Sequence, residues 1–65
     1  MKGLTKREQQ VCDHLMLGET NKEIGMSLGI SPRTVEWHRE EIFKKHDVHN
    51  VVELVRAVYH IGEHP

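Results

Sequence analysis

The chain has 65 residues, nine lysines and arginines against ten acidic side chains, and a formal net charge of −1 with its six histidines neutral. A unit this small holds one domain with a thin core, burying about 60% of the surface its unfolded chain exposes. The near-neutral balance speaks against a generic basic nucleic-acid binder; no apolar run reaches the roughly 20 residues of a membrane span, and the amino terminus lacks the apolar stretch of a secretory signal. The expectation is a soluble, cytoplasmic chain. Its lone Cys12 cannot form an internal disulfide and reads as a small buried apolar group.

Apolar residues recur at helical spacing with turn signals between them, which predicts an all-α fold of four helices, about 6–17, 21–28, 32–46 and 51–61, without strands or repeats. The first start is Thr5-Lys6-Arg7-Glu8, a capping side chain three residues before a glutamate, and the helix stops before Gly18. The second start, Thr20-Asn21-Lys22-Glu23, repeats that box, and Gly29 ends its helix. Ser31-Pro32 opens the third: a cap followed by proline at the first helical position, where its missing N–H costs nothing. Asn50-Val51-Val52-Glu53 is a third box, and Gly62 closes the last helix before a short tail.

Only Gly29, Ile30 and Ser31 separate helices two and three, enough for the sharp turn of a helix-turn-helix unit. Gly25 lets the two helices approach, and Ile24, Leu28, Ile30 and Val35 can fill the wedge between them. An ordinary helical hairpin is the plain alternative. On a wheel at about 100° per residue, Val35, Ile42 and His46 share the core side of helix three. Arg33, Glu36, Trp37, Glu40 and Lys44 lie opposite. The docking geometry of such motifs presents the amino-terminal part of the outward face to base edges, so Arg33, Glu36, Trp37 and Glu40 are the base-contact candidates. Arginine donates to guanine and glutamate accepts from cytosine N4 or adenine N6, which predicts a mixed-sequence site. Positive charge is modestly focused here: Arg33, Arg39, Lys44 and Lys45 stand against Glu36, Glu40 and Glu41.

Taken together, Leu4-Thr5, Arg7-Glu8, Val11, Gly18, Asn21-Lys22-Glu23-Ile24, Leu28-Gly29-Ile30-Ser31, Thr34-Val35, His38, Ile42, Lys45, Val48 and Glu53-Leu54 resemble the LuxR/GerE-type DNA-binding domain over nearly the whole chain. The resemblance implies a domain that binds double-stranded DNA as a dimer and forms the carboxy-terminal output module of a transcription factor, often a NarL/FixJ-type response regulator. An amino-terminal regulatory domain is then expected in the full-length protein, with a free-standing small regulator as the alternative. The resemblance also places Glu36, Trp37 and Glu40 at base-contacting positions, although many relatives carry lysine or small apolar residues there. It assigns phosphate contacts to Thr34, His38 and Lys45 and, at the amino terminus of helix two, to Asn21 and Lys22, where free amides and the helix dipole favour an anion. Lys45 has a competing role, an ion pair with Glu8. Arg39 and Lys44 read as solvated charges that contribute little.

On helix four Val51, Leu54, Val58 and Ile61 form one stripe, and Val52, Val55 and Tyr59 widen it beyond what one core face needs. The resemblance implies a dimer contact there; a wide core face is the alternative. His14 and His46 stand where relatives carry leucine, and packed neutral in the core they would destabilise the fold on acidification. Asp47 replaces the usual glycine after helix three. The pairs His46/His49 and His60/His64 have helical metal-ligand spacing, but without a clustered cysteine or carboxylate set no metal or other cofactor is expected. Neither a phosphate-cradling glycine loop nor an activated nucleophile is present, so no enzyme is expected. The functional alternatives are a sigma-type region-four module, against which helix four speaks, and a protein-interaction module that kept the fold and lost DNA binding.

Overall fold

Local capping chemistry sets where each helix begins. The computed structural model describes residues 3–59, and among these the elements are α1 (Lys6–Met16), α2 (Asn21–Leu28), α3 (Pro32–His46) and α4 (Val51–Tyr59), with no strand. At α1 the Thr5 hydroxyl accepts from the Glu8 N–H at 3.1 Å, and the Glu8 carboxylate accepts from the Thr5 N–H at 2.8 Å. Thr20 and Glu23 repeat the reciprocal pair at α2. Ser31 caps α3 through the Thr34 N–H at 3.1 Å, with Pro32 at the first turn. The fourth start departs from the predicted box. Asn50 does accept from the Glu53 N–H, but the Glu53 carboxylate reaches one residue further back, to the His49 N–H at 2.8 Å.

Two helix ends differ from the sequence expectation. α1 stops one residue early, because Leu17 already acts as its right-handed cap and Gly18 turns the chain at φ +80°. The expected end of α4 at Ile61 and Gly62 lies outside the described residues. Asp47 takes the left-handed conformation (φ 55°) that a glycine would otherwise supply, and the Val48 N–H reaches back to the Phe43 carbonyl at 2.9 Å. Aspartate is among the side chains that tolerate this region, at some conformational cost.

Among the described residues the core is seven side chains: Val11, Cys12 and Leu15 from α1, Ile24 from α2, Val35 and Ile42 from α3, and Leu54 from α4. Leu28, Ile30, Phe43, Val48 and Val51 pack against it while only partly buried. Leu28 and Ile30 therefore edge the wedge between α2 and α3, and Ile24 and Val35 fill it. Gly25 is required by the turn more than by the opposing helix: a Cβ there would stand 2.6 Å from the Ile30 carbonyl oxygen. That carbonyl belongs to the backbone and cannot swing away.

Two side chains expected on the core side are not enclosed by it. Val58 is 38% exposed, so the buried stripe of α4 narrows to Leu54 with Val51 beside it. His46 is half-buried, at the rim of a groove between α1 and α4. His14 is likewise half-buried, its Nδ1 2.8 Å from the Glu19 carboxylate. Cys12 is buried as expected, and burial pushes its thiol above its ordinary value. No helix among the described residues is long and apolar enough to cross a membrane.

Candidate nucleic-acid interface

A helix of fifteen residues with a buried side must leave its other side to solvent unless something else covers it. On α3 Val35 and Ile42 are fully buried, whereas Arg33, Thr34, Glu36, Trp37 and Glu40 are exposed. Arg33, Glu36, Trp37 and Glu40 line one shallow cleft of about 190 Å³ on the solvent side. Trp37 is 56% exposed, its ring edge-on to His38 at 5.1 Å between centroids. More than half of the residue is thus open to solvent.

The charges divide along the same line. Lys45 donates to the Glu8 carboxylate at 2.6 Å, with the lysine side chain 20% and the glutamate 5% exposed. The same Glu8 oxygen accepts the Thr5 N–H, so one carboxylate both caps α1 and ties α1 to α3. Its pKa lies below the ordinary 4.5, chiefly because of the Lys45 hydrogen bond and then the Thr5 backbone donor, against the opposing effect of burial. Of the two roles expected for Lys45, the ion pair is the one this geometry serves. Lys44 is 74% exposed and meets Glu41 only at 3.4 Å, the loosely held surface charge that was expected.

Arg39 differs from that expectation. Its guanidinium donates to Asn21 Oδ1 at 2.6 Å and lies over the Phe43 ring at 5.7 Å, so it straps the start of α2 to the middle of α3. Sequence reading missed this contact; eighteen residues separate the partners, and no local spacing rule connects them. Asn21 is consequently half-buried and oriented, while the neighbouring Lys22 is exposed. Thr34 shares a hydrogen bond with the Ser31 hydroxyl at 2.9 Å. His38 is half-buried, and its Nδ1 is enclosed without a hydrogen-bond partner.

On α4, Val52 and Tyr59 are 61% and 62% exposed, and Val55 is half-buried. Tyr59 and Val58 border the groove toward α1, an open space of about 540 Å³ that also meets Leu4, Cys12, Met16 and His46. Among the described residues no three histidine, cysteine or carboxylate side chains come together as a metal site. His60 and His64, one of the two pairs with ligand spacing, lie outside the described residues.

An eight-residue helix, a three-residue turn and a longer helix whose solvent side carries Arg33, Glu36, Trp37 and Glu40 define a helix-turn-helix DNA-binding domain. The family model for bacterial regulatory proteins of the luxR family matches residues 2–58, and the chain belongs to that family. It is 48% identical over 56 residues to the transcriptional regulatory protein UhpA of Escherichia coli, covering 86% of this chain and 29% of that protein. It is 44% identical over 63 residues to the transcriptional regulatory protein FixJ of Azorhizobium caulinodans, covering 97% of this chain and 30% of that protein. A third relative, the uncharacterized response regulatory protein YgeK of Escherichia coli, is 44% identical over 59 residues, 91% of this chain and 40% of that one. The chain thus spans well under half the length of these curated relatives. No solved structure matches it. The family is one of transcription regulators, not of enzymes.

Proposed function

We propose that this domain binds specific double-stranded DNA with α3 in the major groove, as the output module of a response-regulator transcription factor. The exposed row Arg33, Glu36, Trp37 and Glu40 on one side of the second motif helix carries the proposal, because that is the surface such a helix turns toward base edges. Docking falls to the amino terminus of α2 and the edge of α3. Lys22 and the free amides of the first turn attract a phosphate, Asn21 is held in place by Arg39, and Thr34 adds a hydroxyl. His38, half-buried on the same edge with its Nδ1 enclosed, offers its Nε2 side to a phosphate. Lys45 contributes by holding α3 against α1, with its ammonium engaged by Glu8.

A homodimer through α4 is part of the same proposal. Val52 and Tyr59, more than half exposed on a helix whose opposite side buries Leu54, give a second copy an apolar surface, with Val55 between. Two copies related by a two-fold axis would meet half-sites one helical turn apart. For the whole protein the proposal includes an amino-terminal regulatory domain and a place in the cytoplasm; the relatives are named as regulatory proteins, and this chain covers 29% to 40% of each.

The test is a mobility shift against a randomised duplex pool at low and high salt. A defined sequence is enriched, and with about four phosphates met per subunit the slope of log affinity against log salt is near −3.6 per subunit. Salt-independent binding contradicts the docking scheme. A pool from which nothing is enriched favours an interaction module that has lost DNA binding. Independent binding of monomers to single half-sites, without cooperativity, contradicts the dimer.

A further inference from the structure

We infer that Glu36 and Glu40 make α3 a reader of exocyclic base amines, cytosine N4 or adenine N6, so that methylation of those amines in the operator blocks binding. This rests on the DNA-binding reading above and concerns what that face accepts. Both glutamates are exposed, one helical turn apart, and border the cleft that holds Arg33 and Trp37. Neither makes a hydrogen bond or ion pair among the described residues. Of the nearby cations, Arg39 is held by Asn21 and Lys45 by Glu8, Lys44 meets Glu41 loosely, and Arg33, which borders the same cleft, pairs with neither glutamate. Two charged acceptors therefore point at whatever the helix meets.

An ionised carboxylate only accepts hydrogen bonds. In the major groove guanine O6 and N7 and thymine O4 are acceptors as well, and the available donors are the amino groups of cytosine and adenine. The phosphates repel a carboxylate too. Each glutamate thus has one class of partner that relieves its desolvation, and every other base leaves a charge unpaired. Arg33, three residues before Glu36, supplies the opposite polarity and suits guanine. Trp37 adds an apolar surface beside the two acceptors, in the same cleft.

The sensitivity to methylation follows from the base pair. A paired amine uses one N–H for its partner base and turns the other into the major groove. Adding a methyl while pairing is kept puts the methyl on the groove side. The donor that a glutamate needs is then replaced by an apolar group set against a charge. A methyl on cytosine C5 leaves the N4 donor in place and adjoins apolar surface of the kind Trp37 offers.

The experiment selects duplexes from a randomised pool with the wild-type chain and with Glu36→Ala and Glu40→Ala, whose folding is checked by thermal unfolding. The selected duplex is then synthesised with N4-methylcytosine or N6-methyladenine at each cytosine or adenine of the half-site, and with C5-methylcytosine as the control. The expected result is a cytosine or adenine preference that disappears in one or both variants. Amine methylation at that position lowers affinity about tenfold or more, while C5 methylation changes it by less than about twofold. Specific binding that is indifferent to amine methylation at every position overturns the inference and leaves the DNA-binding reading standing, as does a base preference unchanged in both variants. A pool from which nothing is enriched overturns both.

Discussion

The two long sides of α3 treat charge in opposite ways. Toward α1, Lys45 is paired at 2.6 Å with a nearly buried glutamate that also caps α1, and Val35 and Ile42 close the core around it. Toward solvent, Arg33, Glu36 and Glu40 have no partner among the described residues, although Arg33 and Glu36 are only three positions apart. The buried side pairs its one enclosed carboxylate with Lys45 and leaves only His38 Nδ1 without a partner among the described residues, which fixes the helix in one place. The open side leaves donors and acceptors unsatisfied, and they are satisfied only when something docks. Arg39 lies between the two sides and couples them, because its bond to Asn21 sets the start of α2 relative to the open face.

Substitutions separate the two sides most sharply at the lysines. Lys45→Met leaves Glu8 nearly buried and unpaired, and the expected loss in urea unfolding is about 3 kcal/mol. Lys44→Met, one residue away on an exposed and loose pair, is expected to stay within about 0.5 kcal/mol of wild type. Equal effects would erase the distinction. Acid unfolding sharpens it. The folded-state pKa values of Glu8, Glu23 and Glu53 are depressed below the ordinary 4.5 by hydrogen bonds, from Lys45 and Thr5, from Thr20, and from His49 respectively. Below that value the unfolded chain takes up protons first, so the stabilisation is complete above about pH 4.5 and is lost as pH falls through the lower folded values. The acid-dependent loss is smaller in Lys45→Met, because the largest cause of the Glu8 depression is gone.

Next in size is a gain. Asp47→Gly relieves a left-handed aspartate at the end of α3 and is expected to stabilise by about 1 kcal/mol without altering DNA binding. On the open side Trp37→Ala is expected to change unfolding stability by less than about 0.5 kcal/mol. Specific DNA affinity falls nonetheless. Unchanged specific binding would remove Trp37 from the reading face.

How much of this could be read from the sequence depended on the range of the interaction. Helix starts were legible because a cap and its glutamate lie three residues apart, and two of three boxes form as written. The third shifts to the His49 N–H, a choice among adjacent donors that spacing does not decide. The open face of α3 was legible from the helical period alone. The Glu8–Lys45 pair spans thirty-seven residues and was accessible only through the family resemblance. The Arg39–Asn21 strap was not accessible at all. Val58 was misplaced because the stripe on α4 was assumed to be covered along its length, whereas the structure buries that helix only around Leu54. The place of His14 was left open by the sequence, and the structure sets it close enough to the edge for its ring to reach Glu19.

The most direct test of the division between the two sides is backbone amide shift mapping of the chain titrated with its selected duplex. The account predicts the largest changes at residues 32–40 and in the first turn of α2, with the α1 residues around Glu8 little affected. Changes concentrated instead along the groove between α1 and α4, with residues 32–40 unmoved, would contradict it.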